Sequence, residues 1–207
     1  MADLQKLLDQ GLKDLGIAAT ERQTSQLLRY LELMQKWNKA YNLTAIRDPQ
    51  QMLVRHLLDS LAVVPHIAQT DLIDVGSGGG LPGIPLAILS PQQPITTLDS
   101  NSKKTRFQSQ VKIELGLTNL EVIHGRVEAL ENRQFSQVIS RAFASIIDMV
   151  TLSQGLLAEK GVFLAMKGRY PDAELAELPL QFRLQQSYAL HIPGLEEERH
   201  LLVLGRA

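Results

Sequence analysis

The sequence predicts an α/β protein: a seven-stranded, mostly parallel sheet with its last strand antiparallel, preceded by a helical extension. Three observations carry this prediction. From about residue 70, apolar runs of strand length alternate with helical stretches, a rhythm that builds parallel strands joined by crossover helices. The run Leu72–Val75 leads through Gly76-Ser77-Gly78-Gly79-Gly80-Leu81-Pro82-Gly83 into Ile84–Leu89, which reads as strand, glycine turn and helix. Before that point, residues 1–66 carry helical periodicity alone.

Taken in order, Leu4, Leu7, Leu8, Leu12 and Leu15 form a helical stripe that Gly16 ends. Thr20-Glu21-Arg22-Gln23 has the form of a capping box and opens a helix carrying Leu27, Leu31, Met34 and Trp37 inward. Asp48-Pro49-Gln50-Gln51 starts a third helix through Leu53, Leu57, Leu61 and Val64, ending at Pro65. The predicted strands are Leu72–Val75, Ile95–Leu98, Leu120–His124, Phe135–Ser140 and Val162–Met166, with helices at Ile84–Leu89, Ser102–Leu115 and Ser145–Leu157. Phe182, Leu184, Tyr188, Leu190 and Ile192 share one parity, and His200–Leu204 follows Pro193-Gly194; these are two final strands. The division expected is a helical extension over 1–66 and a ligand-binding core over 67–207.

A chain of 207 residues, 44% hydrophobic, can bury a sizeable core. No apolar run approaches the roughly 20 residues of a membrane span, and Met1-Ala2-Asp3-Leu4-Gln5-Lys6 lacks the pattern of a signal peptide. A cytoplasmic location is expected. The absence of cysteine excludes disulfides, thiolate zinc sites and cysteine nucleophiles. Five scattered histidines show no metal-ligand spacing, so no metal site is expected. A net charge of −1 does not argue for nucleic acid, and the distribution of charge matters more than the total. Lys36, Lys39 and Arg47, interleaved with Trp37 and Tyr41, occupy a stretch without acids, as do Lys103, Lys104, Arg106 and Lys112. Each stretch is either a phosphate-facing patch or a solvated helix face.

The glycine turn allows two registers. Asp74-x-Gly76-x-Gly78-x-Gly80 is the pattern of S-adenosylmethionine (SAM) methyltransferases, whereas Gly78-x-Gly80-x-x-Gly83 matches a dinucleotide fingerprint. Spacing from the strand favours the first. In such a sheet the ligand lies beyond the carboxyl ends of the strands. The second strand ends at Asp99, whose carboxylate can accept both ribose hydroxyls of an adenosine or cap the helix near Ser102. Past the third strand comes Gly125-Arg126-Val127-Glu128, where a backbone amide and the Glu128 carboxylate can read an adenine edge, or Glu128 simply initiates a helix. The fourth strand ends in Ser140-Arg141-Ala142-Phe143 and the fifth in Lys167-Gly168-Arg169.

The acceptor is narrowed by what is missing. Methylation at cytosine C5 needs a cysteine adduct, and there is no cysteine. Exocyclic amines call for Asp/Asn-Pro-Pro-aromatic after the fourth strand, and ribose oxygens for an Asp there; this chain has Arg141. An acceptor with an available lone pair, such as guanine N7, fits best. No pairing suited to hydride transfer is visible.

Four segments together resemble the ribosomal RNA small subunit methyltransferase G family, also called glucose-inhibited division protein B. They are Lys36-Trp37-Asn38-Lys39-Ala40-Tyr41-Asn42-Leu43-Thr44, Arg55-His56-Leu57-Leu58-Asp59-Ser60, Asp74 to Gly83, and Ile139-Ser140-Arg141-Ala142-Phe143. The resemblance spans nearly the whole chain. It implies a class I, Rossmann-like methyltransferase fold and SAM-dependent methylation of N7 of a guanine in 16S rRNA, alone or within the small ribosomal subunit. It also implies cofactor contacts at Gly76, Leu81, Val127, Glu128 and Arg141, to which the glycine motif adds Asp74, Gly78 and Gly80 and the end of the second strand adds Asp99. Arg141 is the expected catalytic position, acting by placement without a general base. Candidates for RNA contact are Lys36, Lys39, Tyr41, Arg55, His56, Lys103, Lys104, Arg106, Phe143 and Lys167. Trp37 and Tyr41 either stack on bases or pack the helices onto the sheet; Phe143 either sandwiches the guanine or belongs to the core. Rival readings are a methyltransferase for a small molecule or protein, and a nucleotide-sensing module without turnover.

Overall fold

The computed structural model describes residues 2–130, 132–141 and 143–207. Ala142 of the segment singled out above therefore lies outside the described residues. The extension consists of α1 (Ala2–Asp14), α2 (Glu21–Tyr41), and a third helical run. Thr20 caps α2 through the reciprocal box with Gln23 expected from the sequence. Asp48 accepts from the Gln51 N–H at 2.8 Å and starts α3 (Pro49–Met52). The run then widens into a π-helical turn, Leu53–Leu58, before α4 (Asp59–Leu61). The sequence pattern predicted a regular helix here. The wide turn is a device that recurs at functional sites, and it carries Arg55 and His56.

The sheet is built from β1 (Leu72–Val75), β2 (Ile95–Asp99), β3 (Leu120–His124), β4 (Phe135–Ser140), β5 (Leu157–Lys167), β6 (Phe182–Ala189) and β7 (His200–Arg206). Their order is β3-β2-β1-β4-β5-β7-β6. The first five pair in parallel, and β7 runs antiparallel between β5 and β6, as expected. The chain order reverses between β1 and β4, so the carboxyl ends of β1, β2 and β4 flank the switch point where such sheets bind ligands.

Crossovers are made by α5 (Gly83–Leu89), α6 (Ser102–Leu115) and α7 (Ile146–Ser153). The helix expected to run to Leu157 stops at Ser153. A single 3₁₀ turn, Gln154–Leu156, carries the chain past Gly155 into a β5 longer than its apolar stretch suggested. A short α8 (Asp172–Ala176) was not anticipated, and β6 ends three residues before the predicted Ile192.

Alternate residues along the strands feed two apolar layers. Leu72, Ile95, Leu120, Ile139 and Leu164 face the extension together with α5 and α6, whereas Ile73, Leu98, Val138 and Phe163 face α7. Residues 1–66 therefore have no separate core: Leu27, Leu31, Met34 and Leu57 share the layer that the sheet supplies. Among the described residues, no helix is long and apolar enough to cross a membrane.

Gly83 marks the tightest joint between β1, β2 and α5. A Cβ there would lie 2.5 Å from the Thr97 methyl and 3.2 Å from the Asp74 Cβ. Gly83→Ala is expected to destabilise the fold by about 1–3 kcal/mol through overpacking. Gly155→Ala, where a Cβ meets open space, should stay within about 0.5 kcal/mol of wild type. Urea denaturation of both variants checks the contrast.

Candidate active site

Backbone conformation explains the glycines first. Gly76, Gly78 and Gly80 adopt φ of 70°, 59° and 90°, the left-handed region that L side chains avoid. At Gly80 a Cβ would also collide with Ile84. Buried side chains then hold this turn. Asp99 Oδ2 accepts from the Gly78 N–H at 2.8 Å, and Tyr30, buried on α2, donates to the Gly79 carbonyl at 2.6 Å. Gln108 of α6 donates to the Gly78 carbonyl at 2.7 Å and to Ser77 Oγ at 2.9 Å.

Asp74, expected to touch the cofactor, lies beneath the turn instead. It is fully buried, lines none of the clefts there, and accepts from the Gly83 N–H at 2.8 Å. Burial pushes its carboxyl up to about 7, against the Gly83 N–H and the Arg141 charge, which favour ionisation. Its alternation on a short strand with both faces covered dictates this, because residue 74 points into the layer shared with α5.

Three clefts meet at the carboxyl ends of the strands. The first, about 290 Å³, has Leu98, Val127 and Phe143 as apolar walls and Asp99 and Glu128 as carboxylates, with Gly76 at its edge. The second, about 270 Å³, runs under Gly76–Gly79 past Leu81, Met34, Thr44 and Lys104 to Arg141 and His56. The third, about 380 Å³, begins at His56 and Arg141 and continues past Arg55, Asp59, Lys167, Arg199 and His200. Gly76 joins the first two, and His56 with Arg141 joins the last two. A larger cavity of about 750 Å³ lies at the amino ends of β1 to β3, the end of a parallel sheet that does not host ligands.

The first two clefts fit SAM. Apolar walls with an acid at the end of β2 suit an adenosine, and a turn without side chains leaves room for the rest. Both Asp99 oxygens already accept backbone N–H groups, from Gly78 and Asn101, each at 2.8 Å. Each oxygen has a second lone-pair direction for a ribose hydroxyl. The alternative of Asp99 as a helix cap is corrected: Asn101 caps α6, its Oδ1 accepting from Lys103 and Lys104.

Arg141 leaves the end of β4 and is held from the extension. Its Nη1 donates to Asp59 Oδ2 at 3.0 Å and to the Arg55 carbonyl at 3.2 Å. Asp59 Oδ1 accepts from Arg199 Nε at 2.9 Å, so one buried carboxylate joins two guanidiniums. His56 is buried alongside. A carbonyl can only accept, so the 3.2 Å contact with the Arg55 carbonyl assigns the proton to Nδ1. Nε2 then accepts from the Thr44 hydroxyl at 2.9 Å. Burial, reinforced by the Arg141 charge, holds the imidazole down to about 4, so it is neutral at pH 7.

The RNA candidates distribute unevenly. Lys36, Lys39, Lys103 and Arg106 are exposed, and Lys104 lines the second cleft. Trp37 stacks on Tyr41 (5.1 Å between centroids) and meets the buried Phe107 at a tilt (5.7 Å), so it packs α2 onto α6. Arg55 pairs with Glu197. Lys167 pairs with Glu174 at 3.0 Å and donates to the Ala144 carbonyl, which engages it structurally. Phe143 lines the first cleft and packs on the layer beneath α7, away from the third cleft.

Sequence reasoning missed Tyr30, Gln108 and Arg199, which carried no local signal. Asn38 did carry one, sitting in the Trp37–Thr44 segment. It accepts from the Thr44 N–H at 2.9 Å and donates to the Thr44 carbonyl at 3.0 Å, presenting Thr44 to His56. Among the described residues, no group of His, Cys, Asp or Glu is arranged to hold a metal ion.

A family model described as rRNA small subunit methyltransferase G (GidB) matches residues 23–202. A "Ribosomal RNA small subunit methyltransferase G" of Marinobacter nauticus is 53% identical over 201 residues, covering 97% of this chain and 94% of that protein. Two solved structures share the fold. A SAM-dependent methyltransferase from Aquifex aeolicus aligns with a TM-score of 0.58 at 14% identity, covering 82% of this chain and 96% of that one. Another, from Thiobacillus denitrificans in complex with S-adenosyl-L-homocysteine, aligns with a TM-score of 0.52 at 11% identity, covering 86% and 98%.

The His56 environment has a consequence for stability. Its folded pKa of about 4 lies below the ordinary 6.5, so the unfolded chain takes up the proton first. The stabilisation is complete above pH 6.5 and is lost as pH falls toward 4. Asp74 acts oppositely, its raised pKa costing stability as pH rises through 7. Comparing wild type with His56→Gln cancels the Asp74 contribution. Between pH 6.5 and 4.5, wild type should lose stability relative to the variant with a slope approaching about 1.4 kcal/mol per unit. Parallel urea curves across that range measure it, and a constant difference would contradict a buried neutral imidazole.

Proposed function

The chain belongs to the rRNA small subunit methyltransferase G family and is a SAM-dependent methyltransferase; from that premise we propose that it methylates N7 of a guanine in 16S rRNA, with Arg141 where cofactor and acceptor meet. One observation carries the reading: Arg141 lines both the cleft beneath the glycine turn and the third cleft, on a buried carboxylate that holds it in place.

When bound, SAM supplies a methyl group already activated on a sulfonium. The residues that would hold it are Gly76, Gly78, Gly80 and Leu81 along the turn, Asp99 at the ribose, and Val127 and Glu128 at the adenine. Phe143, on the wall of the first cleft, belongs with these rather than with the acceptor. Asp74 supports the turn from below.

The chain's own contribution is placement, which in favourable cases is worth roughly 7–11 kcal/mol. Guanine N7 bears its lone pair at pH 7, so no proton must leave before attack. The side chains at the junction agree with this. His56 has both ring nitrogens engaged, Asp59 is bound by two arginines, and Lys167 is ion-paired. None is free to act as a base. Arg141 retains N–H groups to donate to the guanine O6, which orients N7.

We assign the acceptor side to the extension, residues 1–66, which supplies Thr44, Arg55, His56 and Asp59, and the cofactor side to residues 67–207. Lys36, Lys39 and Tyr41 on α2, and Lys103, Lys104 and Arg106 on α6, lie on two helices in contact and form the proposed phosphate-facing rim. The small ribosomal subunit is the proposed substrate particle.

Incubation with labelled SAM and small ribosomal subunits, followed by nucleoside identification, tests the reading. The product should be 7-methylguanosine, and the single-turnover rate should be nearly flat between about pH 6.5 and 8.5. A rate rising tenfold per unit would indicate a general base, and a methylated exocyclic amine or ribose would refute the acceptor assignment.

Asp99→Ala removes the charged acceptor from the ribose side of the cleft and releases Gly78. SAM affinity should fall by on the order of 1.5–3 kcal/mol. Calorimetric titration of the folded variant decides it; an unchanged dissociation constant would place the ribose elsewhere.

A further inference from the structure

The third cleft holds a charge that the reaction described above does not use. The side chains lining it include four cations, Arg55, Arg141, Lys167 and Arg199. Arg55 is neutralised by Glu197 and Lys167 by Glu174. Arg141 and Arg199 share the single carboxylate of Asp59, at 3.0 and 2.9 Å. One positive charge is therefore in excess, and it resides on two guanidiniums whose side chains are only 28% and 25% exposed. A half-desolvated charge of this kind is costly without a counter-ion, and a neutral base alone leaves it uncompensated.

Geometry indicates where the counter-ion binds. Arg199 spends Nε on Asp59 and Nη1 on the Glu198 carbonyl at 2.7 Å. Among the described residues its Nη2 has no protein partner. The guanidinium is thus clamped in orientation, with donor capacity left for an oxygen anion, which is the arrangement that favours Arg over Lys at phosphate sites. Asp59 is nearly inaccessible and accepts from two arginines carried by different elements, one just past the end of β4 and one just before the start of β7. Without the carboxylate the two cations would repel each other and swing apart.

We propose that Arg199, held on Asp59 beside Arg141, binds the phosphate of the acceptor nucleotide, and that Asp59 is the positioning residue for both guanidiniums. The phosphate supplies the missing negative charge, while Arg141 remains free to address the base. The inference rests on the assignment of the third cleft to the acceptor. It adds Arg199, which no local pattern marks, and gives a positioning role to Asp59, which lies in the Arg55–Ser60 segment singled out in the sequence.

The full chain is assayed with small ribosomal subunits and labelled SAM at several salt concentrations. Arg199→Ala should raise the KM for subunits roughly 10- to 100-fold, the range for a hydrogen bond to a charged group. The slope of log KM against log salt should fall by about 0.7–0.9, one phosphate contact. SAM affinity by calorimetry should stay at the wild-type value. Arg199→Lys keeps the charge and should restore the slope while KM stays elevated. Asp59→Asn should lower the single-turnover rate at saturating subunits with SAM affinity retained; should it fail to fold, the two Arg199 variants decide alone. A folded Arg199→Ala with wild-type KM overturns the proposal, as does a raised KM with an unchanged salt slope. Absence of product from wild type would overturn the acceptor reading itself, and this inference with it.

Discussion

The site depends on a glycine turn that cannot hold its own shape. Three glycines at positive φ leave the backbone free to approach a ligand, and equally free to collapse or wander. The structure resolves this by anchoring the turn with buried polar side chains from four elements: Asp74 on β1, Asp99 on β2, Tyr30 on α2 and Gln108 on α6. The bonds to Asp74 and from Tyr30 are buried, where breaking one would leave a group unsatisfied. The turn is thereby rigid without side chains of its own.

This anchoring explains why the helical extension and the sheet form one body. Tyr30 reaches the turn only because α2 lies across α5 and α6, and α2 lies there because Leu27, Leu31 and Met34 complete the sheet's apolar layer. The same packing presents the wide turn of Leu53–Leu58 to the strand ends. The Arg55 carbonyl and the Asp59 carboxylate then meet Arg141, a contact spanning more than eighty positions of chain. The glycine turn and the Arg141 junction are thus both tied to the helical extension, and a disturbance of that layer reaches both.

The electrostatics follow from the same burial. Arg141 favours ionisation of Asp74 and disfavours protonation of His56, while desolvation raises the first and lowers the second. One guanidinium therefore shapes the charge state of groups on two sides of the junction. Its own position is set by Asp59, which also pairs with Arg199 and so fixes two charges of the third cleft.

Much of this was legible in the sequence because the relevant physics is local. Strand–helix alternation, the capping box at Thr20, the Asp48-Pro49 start and the glycine turn depend on neighbouring residues, and all appear as read. Asp99 and Val127-Glu128 line one cleft because strand ends converge in any sheet of this order. Tertiary structure decided what rests on distant approach. Asp74 became a support rather than a contact because both faces of β1 are covered. Trp37 became packing because Phe107 lies 5.7 Å away, and Lys167 became an ion pair because α8 brings Glu174 to it. Tyr30, Gln108 and Arg199 carry no local pattern, since a hydrogen bond between residues far apart in the chain leaves no spacing to read. Sequence determined the fold and the turn through short-range propensity; only folding, by bringing remote polar groups into a dry interior, determined which side chains hold the site together.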